Sequence, residues 1–207
     1  MKRILDEKGK GSYEFLTVVV VCLILASILL VLAIRNGEKE KREVFRYNAK
    51  TIGINAIDYE YRKAASVVYL YELIDDGLVS EVKNNFSGDD FCDYYESKVE
   101  FEDDKKLVTL KCGNYLIYRQ DITEKDYSIY RVNNWTFDEL SGNNVDVKDV
   151  YSLTKNGKDL LGGYYEEGLF VKLVMDKYGE EYNSLKDIKK DFDVLEKKAY
   201  RKRVLVD

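Results

Sequence analysis

From Phe15 to Ile34 the chain reads FLTVVVVCLILASILLVLAI, with no charged side chain and only the hydroxyls of Thr17 and Ser27, which can bond back to their own helix. About 20 such residues are the length a helix needs to cross a hydrocarbon core, and a buried core helix would show a polar face. The run therefore predicts a membrane span. Beyond it charge returns, but Val44, Phe45, Ala49, Ile52, Ala56, Tyr59 and Ala64 recur at spacings near three and four. That pattern continues the rod as an amphipathic helix, with Gly37 and Gly53 as places where it could bend. The spacing is too irregular for a coiled coil.

Val67 to Leu70 enters a strand or a short helix that ends near Asp75-Asp76-Gly77, where Gly77 suits a C-cap. Ser97 to Glu102 and Leu107 to Cys112 alternate apolar with polar around a turn at Asp103–Lys106, and Tyr115 to Arg119 follows, which predicts an antiparallel meander. Tyr127 to Leu140, with Tyr130, Val132 and the single Trp135, reads as another strand whose aromatics are buried by default. A sugar-binding aromatic is the less common use of such a Trp. Glu166 to Tyr178 predicts an amphipathic helix stopped at Gly179, and Ser184 caps a second one carrying Leu185, Ile188 and Phe192. From Val194 to Val206 the apolar positions are broken by Lys197, Lys198, Arg201, Lys202 and Arg203, the pattern of an edge strand that resists stray pairing or of a basic docking patch.

Composition narrows the chemistry. The net charge of -5 is scattered along the chain, so no basic field points to nucleic acid. With no His, the usual general base near neutral pH and the commonest metal ligand are missing. Phosphate loops, nucleophile elbows, zinc helices and EF-hand loops are not found. Asp89, Asp90 and Asp93 lack the alternation of a calcium loop, and Glu166-Glu167 and Glu180-Glu181 occupy adjacent positions that do not face one another on a helix. No catalytic, cofactor or metal residue is expected, and no enzymatic activity. Cys92 and Cys112 flank the meander's first hairpin. In an oxidising space a bridge between them would contribute roughly 3 kcal/mol, and two buried free thiols are the alternative. Cys22 sits mid-span as a small apolar residue.

Lys2, Arg3, Lys8 and Lys10 precede the span, but Arg35, Lys39, Lys41 and Arg42 follow it, so charge alone orients it weakly. The run is longer than the roughly 7–15 apolar residues of a cleavable secretory signal and lacks a small-x-small site. Directly before it stands Lys8-Gly9-Lys10-Gly11-Ser12-Tyr13-Glu14-Phe15, with one carboxylate against the apolar edge. Near a helix N-terminus such an acid is favoured by the macrodipole, and Ser12 with Glu14 also suits plain capping.

The same stretch resembles the leader of type IV prepilins, in which a basic peptide ends in Gly, a peptidase cuts after it, and Glu stands fifth in the mature chain. Cutting after Gly9 would leave Lys10 first and Glu14 fifth. The pattern is similar to G-x-x-x-x-E-[FY] of tight-adherence pilins and to the Q-x-S-x-E leader of archaeal-type pilins, with Lys10 in place of Gln. The resemblance extends over residues 8 to about 118, including the segment LYELIDDGLV and a Cys92–Cys112 pair similar to pilin head disulfides.

It implies a leader at 1–9, an N-terminal helix at 10–64 whose first half spans the membrane, and an extracytoplasmic head at 65–207. The expected fold class is α+β, pilin-like, with the helix on an antiparallel sheet and extra C-terminal helices. The implied function is structural: a minor pilin or pseudopilin of a type IV pilus, a type II secretion system or a DNA-uptake-like filament. Its implied partners are the membrane, a prepilin peptidase, other pilin-like subunits and a platform membrane protein, with an assembly ATPase acting indirectly. The N-terminus would be cytoplasmic and the head outside, reaching the cell surface after assembly. Glu14 would neutralise the N-terminal ammonium of a neighbouring subunit in the filament core. The alternative reading is an uncleaved single-pass anchor bearing an extracytoplasmic binding or sensor domain.

Overall fold

The apolar run and the amphipathic stretch after it form one helix, α1 (Ile4–Lys63), which continues through both Gly37 and Gly53. The structure, a computed structural model, describes residues 4–88, 90–179 and 181–206, and for 4–14 the backbone alone. The chain divides into two units, Met1–Phe45 and Arg46–Asp207. In the first, every side chain from Phe15 to Ile34 is exposed, and Ser27 Oγ donates to the carbonyls of Leu23 and Ile24 at 3.0 and 2.8 Å. The hydroxyl is thus satisfied inside its own helix. This is the one helix among the described residues that is long and apolar enough to cross a membrane.

The second unit is α+β, built on an antiparallel curled sheet. Its elements after α1 are β1 (Val67–Tyr69), α2 (Leu70–Asp75), β2 (Lys98–Glu102), β3 (Lys105–Cys112), β4 (Tyr115–Asp121), β5 (Ile129–Val132), β6 (Val145–Lys155), β7 (Lys158–Asp159), β8 (Tyr165–Glu166), α3 (Glu167–Tyr178), α4 (Leu185–Asp191) and β9 (Asp193–Leu205). The strands run in the order β1-β2-β3-β4-β5-β9-β6-β7, with β8 also on β6.

From Arg46 onward, Ala49, Ile52, Gly53, Ala56 and Tyr59 make the buried stripe of α1 at helical spacing. Gly53 permits the closest approach: a Cβ there would lie 2.5 Å from Ile122 Cγ2 and 2.6 Å from Val108 Cγ2. Arg46 Nε donates to the carbonyl of Tyr127 at 2.8 Å, tying the same segment to the chain entering β5. After α2, Gly77 takes a left-handed φ of 70°, and the amides of Gly77 and Leu78 donate to Ile74 and Leu73. Those two bonds satisfy carbonyls that the helix end would otherwise leave unpaired. Cys92 and Cys112 are joined by a disulfide that ties the loop before β2 to the end of β3.

Several elements depart from the expectations. The β2–β3 turn has two residues, Asp103 and Asp104, and Lys105 and Lys106 already pair with Glu102 and Phe101. Asp103 makes the tight turn by adopting a φ of 47°, a conformation that short polar side chains tolerate. The strand expected over 127–140 ends at Val132, after which only Thr136 bridges back to the sheet, through two bonds with Tyr200. The C-terminal segment is not an edge: β9 lies between β5 and β6 and pairs with β6 from Val145↔Lys202 to Thr154↔Asp193. Its inward cations are neutralised, Arg201 by Glu96 at 2.6 Å and Arg203 by Asp146 at 2.8 Å, which makes an interior position affordable. β6 itself was not expected. A second core forms where α3 and α4 cover β6, with Tyr151, Leu153, Phe170, Val174 and Ile188 buried together. Ser184 caps α4 as expected, accepting from the Asp187 amide at 3.2 Å.

Candidate functional site

One concavity of the second unit lies over β6 and β9. Its floor is Val150 and Ala199, both nearly fully buried, and Leu169 of α3. The walls come from three loops. After β5 the chain leaves the sheet and presents Trp135 and Phe137, held to β9 by the Thr136–Tyr200 bridge between them. The loop before β8 supplies Tyr164, whose ring meets Phe137 edge-on at 5.0 Å between centroids. Before β2, the Asp93 carboxylate accepts from the amides of Tyr95 and Glu96 at 3.0 and 2.8 Å, a turn that presents both side chains. The resulting cavity measures about 220 Å³.

Its charges are already paired. Glu166, at the end of β8, lies 2.8 Å from Lys148 and 2.9 Å from Lys98. Burial raises the Glu166 pKa, but the two ammonium groups outweigh it and hold the carboxyl down at about 2. Lys98 shows the counterpart: burial pulls its pKa down, Glu166 and Glu100 push it up, and the net direction is up. Glu96 is bound by the almost fully buried Arg201 at 2.6 Å, with Lys111 3.6 Å away. Burial pushes Asp146 up despite Arg203 and Arg201.

Cations also take the ring faces: Lys148 Nζ and the Arg201 guanidinium carbon each sit 4.1 Å from the Trp135 ring centre. Lys197 lies 5.0 Å from both Phe137 and Tyr164. The Trp135 indole Nε1 is buried with no hydrogen-bond partner among the described residues. Trp135, Lys148, Glu166 and Glu96 also line a second concavity beside the first, which Tyr118, Arg119 and Asp146 complete. A β-bulge in the β3–β4 pairing puts Arg119 at a φ of 46° and turns its guanidinium onto Glu102, at 2.6 Å, and Glu100, at 3.5 Å.

Compared with protein-family models, curated proteins and solved structures, the chain matches none.

The residues singled out in the sequence fall in different places. Gly9, Lys10 and Glu14 lie where side chains are outside the described residues, as does Asp89. Cys92 and Cys112 form the disulfide, and Cys22 is an exposed free thiol in the apolar run. Asp93 builds a turn, and Asp90 accepts from Ser87 Oγ at 3.3 Å. Among the described residues no group of three carboxylates or thiols is arranged to hold a metal. Trp135 is half-buried at a cavity, not in a core. Glu166 is not a helical neighbour of Glu167 but the extended residue that precedes α3, so its side chain points into the ion-pair cluster. Sequence reasoning missed Lys98, Lys148, Glu166 and Arg201 as a group. Their common signal, charges inside apolar strand patterns, was visible without showing which charges meet.

Proposed function

We propose that this chain is a pilin-like structural subunit, a minor pilin or pseudopilin, whose leader is removed after Gly9 by a prepilin peptidase. The observation that carries the reading is the join between Gly9-Lys10-Gly11-Ser12-Tyr13-Glu14-Phe15 and an uninterrupted apolar helix that continues as an amphipathic one. The helix on an antiparallel sheet supports it. So does a second stripe on the segment after Phe45: Tyr47, Ile54 and Tyr61 recur every seventh residue and are 70%, 53% and 88% exposed. Apolar side chains at heptad spacing are what a neighbouring helix would cover.

Orientation follows from redox chemistry in this reading. A disulfide persists in an oxidising compartment, so the Cys92–Cys112 bridge favours an extracytoplasmic second unit and a cytoplasmic leader. The partners are then the membrane, like subunits and a platform membrane protein, and no catalytic role is proposed.

The test is cross-linking between copies in cells. With Cys22→Ser in the background, Ile54→Cys should yield oxidised dimers when Glu14 is intact and monomers when Glu14→Ala is added. Dimers that ignore Glu14, or monomers in both, would contradict subunit packing through this helix.

One observation favours a second reading, the uncleaved anchored binding domain. The aromatic cavity with its paired charges is more elaborate than a packing surface requires.

A further inference from the structure

We infer that the cavity between Trp135, Phe137 and Tyr164 is a binding subsite for a single neutral pyranose ring. The inference does not rest on the filament reading. Its size is the first argument: about 220 Å³ holds one small ring and not an extended chain.

Charge decides the class of ligand. An aromatic enclosure commonly receives a cation, but here Lys148, Arg201 and Lys197 already hold the ring faces. A further cation would meet Lys148 on the lining and find the carboxylates of Glu96 and Glu166 already neutralised. An anion would meet the carboxylates of Asp93, Glu96 and Glu166 on the lining, the last two already engaged by short ion pairs. What remains favourable is an uncharged molecule with an apolar face and several hydroxyls.

A pyranose has both. Its C–H face suits the faces of Phe137 and Tyr164 opposite those that Lys197 takes, and Phe137 is 49% exposed. Its hydroxyls can donate to carboxylate oxygens that the lysines and Arg201 hold in place, so little ordering remains to be done on binding. The Trp135 indole N–H and Arg201 Nε are both buried without an acceptor beside the cavity, so the sugar ring is held by packing against the indole. The minority reading of Trp135 thus returns in altered form: Trp135 supplies a wall, and the stacking rings are Phe137 and Tyr164.

Trp135 is the only Trp in the chain, so its fluorescence reports on this cavity and the concavity beside it, and Phe137 and Tyr164, which line only the first, separate the two. The experiment titrates the full-length protein in lipid nanodiscs, free of sugar-headed detergent, with the methyl pyranosides of glucose, galactose, mannose and N-acetylglucosamine. At least one should give a saturable change with a midpoint near the millimolar range. Phe137→Ala and Tyr164→Ala should each weaken it about ten-fold with the far-UV spectrum unchanged, and Tyr61→Ala, outside the cavity, should leave it as it was. No saturable change with any pyranoside in a folded protein overturns the proposal. Saturation by a tyrosine or arginine dipeptide in place of the sugars, or equal binding by the Phe137 and Tyr164 variants, overturns it as well.

Discussion

Glu166 Oε1 accepts a hydrogen bond from Lys148 Nζ at 2.8 Å, which fastens the residue before α3 to β6. The other carboxylate oxygen takes Lys98 of β2 at 2.9 Å, so one side chain joins three elements that sequence separates widely.

Replacing that carboxylate tests the join. Glu166→Gln leaves two half-buried ammonium groups with weaker partners and should cost about 1–3 kcal/mol by urea denaturation. The pH dependence has a definite sign. The folded pKa, about 2, is below the ordinary value of 4.5, so the stabilisation is complete above about pH 4.5 and is lost as pH falls toward 2. Native protein should lose stability across that window more steeply than the variant does.

Gly53→Ala should destabilise, although alanine favours helices by about 1 kcal/mol. The added Cβ would come 2.5 and 2.6 Å from methyls of Ile122 and Val108, both on β-branched side chains with little rotamer freedom. Overpacking of this kind costs about 1–3 kcal/mol, so the net change in thermal midpoint should be downward. A rise would mean that the helix can move off the sheet at no cost.

Cys112→Ser removes a bridge that spans a sequence separation of 20 and should lower stability by about 3 kcal/mol, measured against the oxidised protein. Reducing agent should lower the native protein to the variant's level and leave the variant unmoved. A native protein unaffected by reduction would contradict a structural role for the bridge.

Much of the fold was legible because some segments contain their own explanation. The charge-free run and its amphipathic continuation announce α1, Ser184 and Gly179 mark helix ends, and the alternation around Asp103 marks a hairpin. β6 was not legible because both its faces are covered. Tyr151 and Leu153 lie under α3 and α4, while Asp146, Ser152 and Thr154 are buried on the other face as polar residues, so no clean period of two survives. β9 misled for a related reason. Basic residues inside a strand usually guard an edge, but Arg201 and Arg203 face inward because Glu96 and Asp146, distant in sequence, neutralise them. The cavity was invisible for the same cause: nothing local tells Trp135 that Lys148 and Arg201 will flank it.

The leader is the centre of the functional account, and one measurement reaches it most directly: the N-terminal residue of the membrane-extracted protein, by intact mass and terminal peptide sequencing, from cells with and without the prepilin peptidase. The account predicts a chain that begins at Lys10 only where the peptidase is present. A chain that keeps residues 1–9 in both would contradict it and leave a permanently anchored binding domain.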